Sequence, residues 1–247
     1  MQIYMRRVLL TACAAVLTTG ILAPAAAAPS GNKGREYYEQ RGDVVWEIPN
    51  REKVIALTFD DGPDPEETTH ILDLLKQYNA KATFFVVGKQ VEKHPELARR
   101  EVAEGHELGN HTYDHAYFNR GSSAETIASQ LRRTQEAIFN STGKRPYLFR
   151  PPGGYYSDRL IETCKKNGYL VVMWSWHQDT WDWNRPGVKK IVNKVLGNAR
   201  NGDIVLMHDH VEGKSQTVDA LKEILPELKK RGYRFVTVSE LAQYNIP

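Results

Sequence analysis

The stretch VIALTFDDGPDP, Val54 to Pro65, decides the fold. Its first six residues run VIALTF without polar alternation, the pattern of a strand covered on both faces. Two neighbouring carboxylates, Asp60 and Asp61, close the run. Two like charges side by side at the end of a buried strand repel and lose hydration, so a turn alone does not explain both. A helix signal follows at once: Asp64 as cap, Pro65 at the first helical position and Glu67 three residues after the cap. Its apolar residues, Ile71, Leu72, Leu75 and Tyr78, recur at helical spacing.

The alternation continues outward from there. ATFFVV is followed by a helix near Pro95 to Glu104, and HELGN by a long helix over 124–140. YLFR precedes a helix around Asp158 to Lys166, and YLVVMWSW one around Val188 to Asn198. DIVLMH precedes a helix around Val218 to Lys230, and RFVTV ends the series. Repeated strand and helix over one region predicts an α/β fold with a mostly parallel sheet, open or closed into a barrel. Five strands end on residues with chemistry to offer: Asp60 and Asp61, His111, Arg150, the segment Asp179 to Trp183, and His208. In a β/α barrel that end carries the active site.

The first thirty residues read differently. Arg6 and Arg7 precede an apolar run from Val8 to Leu22 and small residues at Ala25 to Ala28, the layout of a secretory signal peptide. The run is shorter than the ~20 residues a membrane span needs. Residues 1–28 are therefore expected to be a cleaved leader and the protein secreted or cell-wall associated, with lipid anchoring at Cys13 as the second reading. Residues 29–52 are expected to form a tether with a short strand at Val44 to Pro49, and residues 53–247 the catalytic domain. Loss of Arg6 and Arg7 takes the formal charge from +3 to +1, which gives no basic surface for nucleic acid. It leaves Cys164 as the sole cysteine, so neither an internal disulfide nor a cysteine metal cluster is available. No stable membrane insertion is expected after cleavage, and the chain is expected to be a monomer.

Several motifs carry possible chemistry. HTYDH sets His111 and His115 four residues apart, a spacing that puts both rings on one face of a helical turn. With a carboxylate from Asp60 or Asp61 they make a two-histidine, one-carboxylate metal site with open positions. Spacing alone leaves the two acids interchangeable. Arg150 closes an apolar run and can hold a carboxylate in two-point contact. DTWDW and LMHDH offer an acid–histidine pair, the usual form of a general acid. Trp174, Trp176, Trp181 and Trp183 suit either core packing or stacking on sugar faces.

Five ordered motifs, TFDDGP, HTYDH, RPPGG, DTWDW and LMHD, resemble those of the carbohydrate esterase family 4 polysaccharide deacetylases, also called NodB-homology deacetylases. The resemblance spans about Val44 to Tyr244 and is nearest to the bacterial cell-wall type. It implies a distorted (β/α)7 barrel of the NodB-homology type and a divalent metal, zinc first, then cobalt, nickel or manganese. It further implies Asp61, His111 and His115 as metal ligands, and Asp60 as general base held by Arg150. His208 would be the general acid, oriented by Asp182. Leu206 and Trp183 would wall a pocket for the acetyl methyl, Gly153 would donate its N–H to the oxyanion, and Tyr155 would contact substrate. Gly153 departs from the family pattern, in which an aromatic is common. The activity implied is removal of N-acetyl groups from N-acetylglucosamine in peptidoglycan. A chitooligosaccharide deacetylase and an O-acetyl xylan esterase are the alternatives. A catalytically silent carbohydrate-binding or coat protein is the alternative of another class.

Overall fold

The chain enters the fold through α1 (Arg35–Gln40) and β1 (Val44–Val45). The computed structural model describes residues 33–244, so the expected leader, its cleavage point and Cys13 lie outside the described residues. The remaining strands are β2 (Val54–Asp60), β3 (Ala82–Val86), β4 (Glu107–Asn110), β5 (Leu148–Phe149), β6 (Leu170–Val172), β7 (Ile204–His208) and β8 (Arg234–Phe235). Between them lie α2 (Glu67–Gln77), α3 (Gly88–Lys93), α4 (Pro95–Ala103), α5 (Ala124–Thr142), α6 (Asp158–Lys166), α7 (Val188–Asn198), α8 (Thr217–Lys230) and α9 (Val238–Ala242).

The strands pair in parallel in the order β1-β6-β5-β4-β3-β2-β7, with β8 added beside β2. Among the described residues, scattered bonds tie the segments that follow β1 and β6 to the β7 side of this seven-strand path. Ile48 N–H donates to Gly202 O at 2.9 Å, Ser175 N–H to Ile204 O at 3.0 Å, and Asp179 bridges Leu206. The result is the seven-stranded half-barrel of the NodB-homology type, as the motifs implied. All seven residues of β2 are buried, as expected for its unbroken apolar run. Asp64 caps the following helix as predicted: its Oδ1 accepts from the amides of Glu66 and Glu67, at 2.9 and 3.0 Å.

Residues 29–52, expected as a tether, contribute to the fold from Arg35 onward. Val44 and Val45 pair with Val171 and Val172, and the Trp46 ring next to them is 1% exposed. Tyr38 of α1 is buried too, with its hydroxyl on the Asp158 carboxylate. The short strand expected at Val44 to Pro49 is thus present over Val44–Val45, while nothing in so short a run announced the burial of Trp46 beside it.

Parallel register aligns the chemistry. Asp60 is the partner of His208 across β2 and β7, and Asn110, next to His111, is the partner of Phe149, next to Arg150. Four of the motifs therefore open at one end of the sheet, and the bridge from Asp179 to Leu206 brings DTWDW beside them.

Candidate active site

Asp60 is the last residue of β2 and is buried. One of its oxygens, Oδ1, accepts from Arg150 Nη1 at 2.7 Å; the other, Oδ2, lies 3.9 Å from His111 Nε2. Arg150 has no exposed surface and every arm of its guanidinium is committed. Nη1 also donates to Thr58 Oγ1, Nε to Val172 O and Nη2 to Met173 O, and the Phe85 ring lies 4.1 Å away. Burial pulls the Arg150 guanidinium below its ordinary range, and Asp60 opposes that pull.

Asp61 turns away from the strand in the left-handed region, φ 81. Its Oδ1 stands 3.3 Å from His111 Nε2 and 3.0 Å from His115 Nε2, yet this buried oxygen has no aligned hydrogen-bond donor. His111 presents Nε2 because its Nδ1 donates to Arg150 O at 2.7 Å, which places the ring proton on Nδ1 and leaves the Nε2 lone pair facing the site. Three ligand atoms, one from each of Asp61, His111 and His115, lie within 4.8 Å of one another. An acceptor oxygen facing two imidazole nitrogens without hydrogen-bond alignment is a donor set that fits a divalent cation. Burial acts to raise the Asp61 carboxyl, but the facing His111 and His115 outweigh it and hold the group well below the usual range.

The four-residue spacing of the histidines works by another route than the one expected. Residues 111–119 form no helix; left-handed Thr112 (φ 67) and His115 (φ 57) fold the loop back until the ring centroids are 5.2 Å apart. Such conformations are disfavoured for non-glycine residues and persist where surrounding bonds enforce them. Here Asn110 Oδ1 takes the Thr112 amide and Thr112 Oγ1 takes the Ala116 amide, at 3.0 and 2.9 Å.

Opposite stands His208 at the end of β7. Its Nδ1 lies 2.7 Å from Asp182 Oδ1, and its own amide donates to Asp182 Oδ2 at 2.8 Å. Asp182 is fully buried and takes two further bonds, from Thr217 Oγ1 and the Trp183 amide. Burial works against charge on His208, but Asp182 prevails and pushes its pKa up to about 10. The ring is thus held protonated at neutral pH.

Asp60, Asp61, His111, His115 and His208 line one cleft of about 300 Å³. Gly153, Leu206 and Trp183 are also among its walls, while Arg150 and Asp182 lie behind it. Tyr155 is apart and lines a neighbouring groove. Sequence reasoning passed over Tyr117, which the structure adds to the cleft, and it gave no individual role to Asp179, Trp174 or Trp181, also among the walls. Trp181 and Trp183 stack with ring centroids 5.8 Å apart and half their surface exposed. Their exposure favours the sugar-face reading of that cluster over core packing.

The DDGPDP turn is tied from across the sheet. Buried Asp209 accepts from Gly62 N–H at 3.0 Å and from Thr68 Oγ1 at 2.6 Å. Burial drives its pKa up to about 7 against those two bonds.

The comparisons with known proteins agree with this geometry. The family model described as polysaccharide deacetylase matches residues 47–172. The chain belongs to the polysaccharide deacetylase family. This deacetylase is 54% identical over 210 residues to a peptidoglycan-N-acetylglucosamine deacetylase of Bacillus cereus, covering 85% of this chain and 98% of the relative. The crystal structure of a peptidoglycan N-acetylglucosamine deacetylase superposes with a TM-score of 0.78 at 38% identity, covering 83% of this chain and 94% of that one. A family 4 acetyl xylan esterase from Clostridium thermocellum, solved with cobalt, gives a TM-score of 0.71 at 36% identity, covering 77% and 91%. The deacetylase is accordingly a hydrolase of carbohydrate esterase family 4, with a possible divalent-metal site at Asp61, His111 and His115. No helix among its described residues is long and apolar enough to cross a membrane.

Proposed function

We propose that this protein is an exported N-deacetylase that removes acetyl groups from N-acetylglucosamine residues of a cell-wall glycan, peptidoglycan in the first instance, and releases acetate. One observation carries the reading. A carboxylate anchored by a buried arginine, beside a cation site, faces a carboxylate-held histidine across one strand pair.

Asp61, His111 and His115 would hold a divalent cation, zinc first, which would supply Lewis-acid polarisation of the acetamide carbonyl and make water a stronger acid. Arg150 occupies Asp60 Oδ1, so Oδ2 is the oxygen that takes the proton of the attacking water. The backbone N–H of Gly153 meets the oxygen on which negative charge develops. His208 turns Nε2 toward the substrate because Asp182 holds Nδ1; it gives its proton to the nitrogen as the C–N bond breaks. The amine leaves neutral and acetate remains. Leu206 and Trp183 wall the methyl side. Losing the base or one oxyanion donor is expected to lower the rate by ~10²–10⁴.

The test is acetate release from peptidoglycan, chitin oligomers and acetylated xylan, with and without a chelator. Chelator-sensitive release from the N-acetylated glycans supports the proposal. Release from acetylated xylan alone would make the protein an esterase, and no release from any glycan after metal is restored would favour a silent binding protein.

A further inference from the structure

Asp60, Asp61 and Asp179 bring three carboxylates to the cleft, and two have their partners. Asp60 is held by Arg150, and Asp61 faces His111 and His115. Asp179 has no such hold. Its Oδ1 accepts from the Trp181 amide at 3.3 Å, and among the described residues no hydrogen bond or ion pair engages its Oδ2. Burial lifts this carboxyl above its ordinary range, with the Trp181 amide and His208 opposing.

Register places the Asp179 carboxylate against the acyl side of the cleft. Asp179 pairs in parallel with Leu206, and Thr180 Oγ1 donates to Leu206 O at 2.7 Å. Partners across a ladder turn their side chains to the same face, and residues two apart on a strand share one. Asp179 and Leu206 thus stand side by side on the face that also presents His208, and all three line the cleft. In the proposed reaction Leu206 walls the acetyl methyl. A wall meant for methyl alone gains nothing from a carboxylate, which gives up hydration and receives no hydrogen bond in return. The space also runs on past Asp179, because Gly153, Trp174, Asp179 and Trp181 are shared with an adjoining groove of about 350 Å³. An acyl group one heavy atom longer than acetyl has room there.

We propose that the cleft also accepts N-hydroxyacetyl (glycolyl) glucosamine, whose hydroxyl donates to Asp179 Oδ2, and releases glycolate. This rests on the glycan-deacetylase reading of the cleft and widens the acyl group that it takes. The step needs no further reactant. Water adds to the amide carbonyl and gives its proton to Asp60; the C–N bond breaks with its electron pair on nitrogen, which His208 protonates. Glycolate and a neutral amine result. Asp179 touches the acyl group and none of the breaking bonds, so its part is selection.

The experiment compares glucosamine tetramers carrying N-acetyl, N-glycolyl or N-propionyl groups, with the metal-loaded full protein and release of each acid as kcat/KM. Propionyl matches glycolyl in size and lacks only the hydroxyl, so it should be cleaved at least about tenfold more slowly than glycolyl. Asp179→Ala should cut that glycolyl-to-propionyl ratio by about tenfold, and Asp179→Asn, which keeps an acceptor, should retain most of it. Where Asp179→Ala does not fold, the ratio in the wild type decides. Acetate release with glycolyl handled no better than propionyl overturns the inference, as does a ratio unchanged in Asp179→Ala. Failure to release any of the three acids with metal restored overturns instead the catalytic reading, and this inference falls with it.

Discussion

Arg150 and Asp60 form a buried ion pair in which each partner fixes what the other can do. The 2.7 Å bond to Nη1 uses one carboxylate oxygen and leaves the other for the cleft. Removing Arg150 strands a buried carboxylate, and such single deletions typically cost about 3–5 kcal/mol. Arg150→Met is therefore expected to lower stability by that order in urea denaturation. Asp60→Asn keeps an acceptor for Nη1 but no longer takes a proton. It should lower acetate release by ~10²–10⁴ while retaining metal. Full activity in Asp60→Asn would remove it from the base role.

Metal retention tests the ligand set independently of turnover. Replacing residues that merely support a ligand weakens metal affinity by ~10–100-fold, so His115→Ala, which removes a donor outright, should exceed that. Metal content after gel filtration is the readout. Added zinc at 100 times its Kd should stabilise the parent protein by about 2.7 kcal/mol, seen as a rise in Tm. Stoichiometric metal in His115→Ala would break the assignment.

In the proposed reaction the Asp182–His208 pair is expected to set the alkaline limit of activity. His208 must be protonated to serve the leaving nitrogen, and its pKa is raised to about 10, so the rate should fall as pH rises through that value. Burial pulls the other way, so Asp182→Asn should move the alkaline limb to lower pH and depress the plateau. The same shift stabilises the fold fully below about pH 6.5, and that contribution disappears as pH climbs toward about 10. Asp182, held below its usual range, gives up its share only as pH falls into the carboxylate range. A pH–rate profile with the same alkaline limb in both proteins would detach Asp182 from His208.

The longer strands announced themselves as unbroken apolar runs, and most helices because each spans enough residues to show a period. The α7 helix, Val188–Asn198, lies where its apolar spacing put it. The five motifs could be placed at strand ends for the same reason. What the sequence withheld depends on contacts between distant loops. The choice between Asp60 and Asp61 turns on Arg150, 90 residues from Asp60 in the chain, and Asp209 reaches Gly62 across 147. The fold of 111–119 departs from a helix because of Asn110 and left-handed Thr112, for which His-x-x-x-His spacing carries no signal.

Gly62 reports on the turn beneath the two carboxylates. A Cβ there would sit inside the Asp209 carboxylate, which is held in place by Thr68. Gly62→Ala should therefore force Asp209 away and destabilise by about 1–3 kcal/mol. It should also disturb Asp61 and lower metal affinity. A Tm within a degree of the parent would mean that the turn yields freely.

Trp46 tests whether the lead-in belongs to the domain. Its ring is 1% exposed, meets Tyr156 edge-on at 5.7 Å, and has the Arg35 guanidinium 5.4 Å away. It follows β1, the outermost strand of the path, whose two residues could not hold the edge alone. Removing a buried tryptophan leaves a cavity that a short strand cannot close, and such truncations cost about 3–5 kcal/mol. Trp46→Ala should lose that much in urea denaturation. It should also open the β6 edge, from which Trp174 reaches the cleft, so activity should fall further than stability alone explains. A loss under about 1 kcal/mol would return residues 29–52 to the role of a tether.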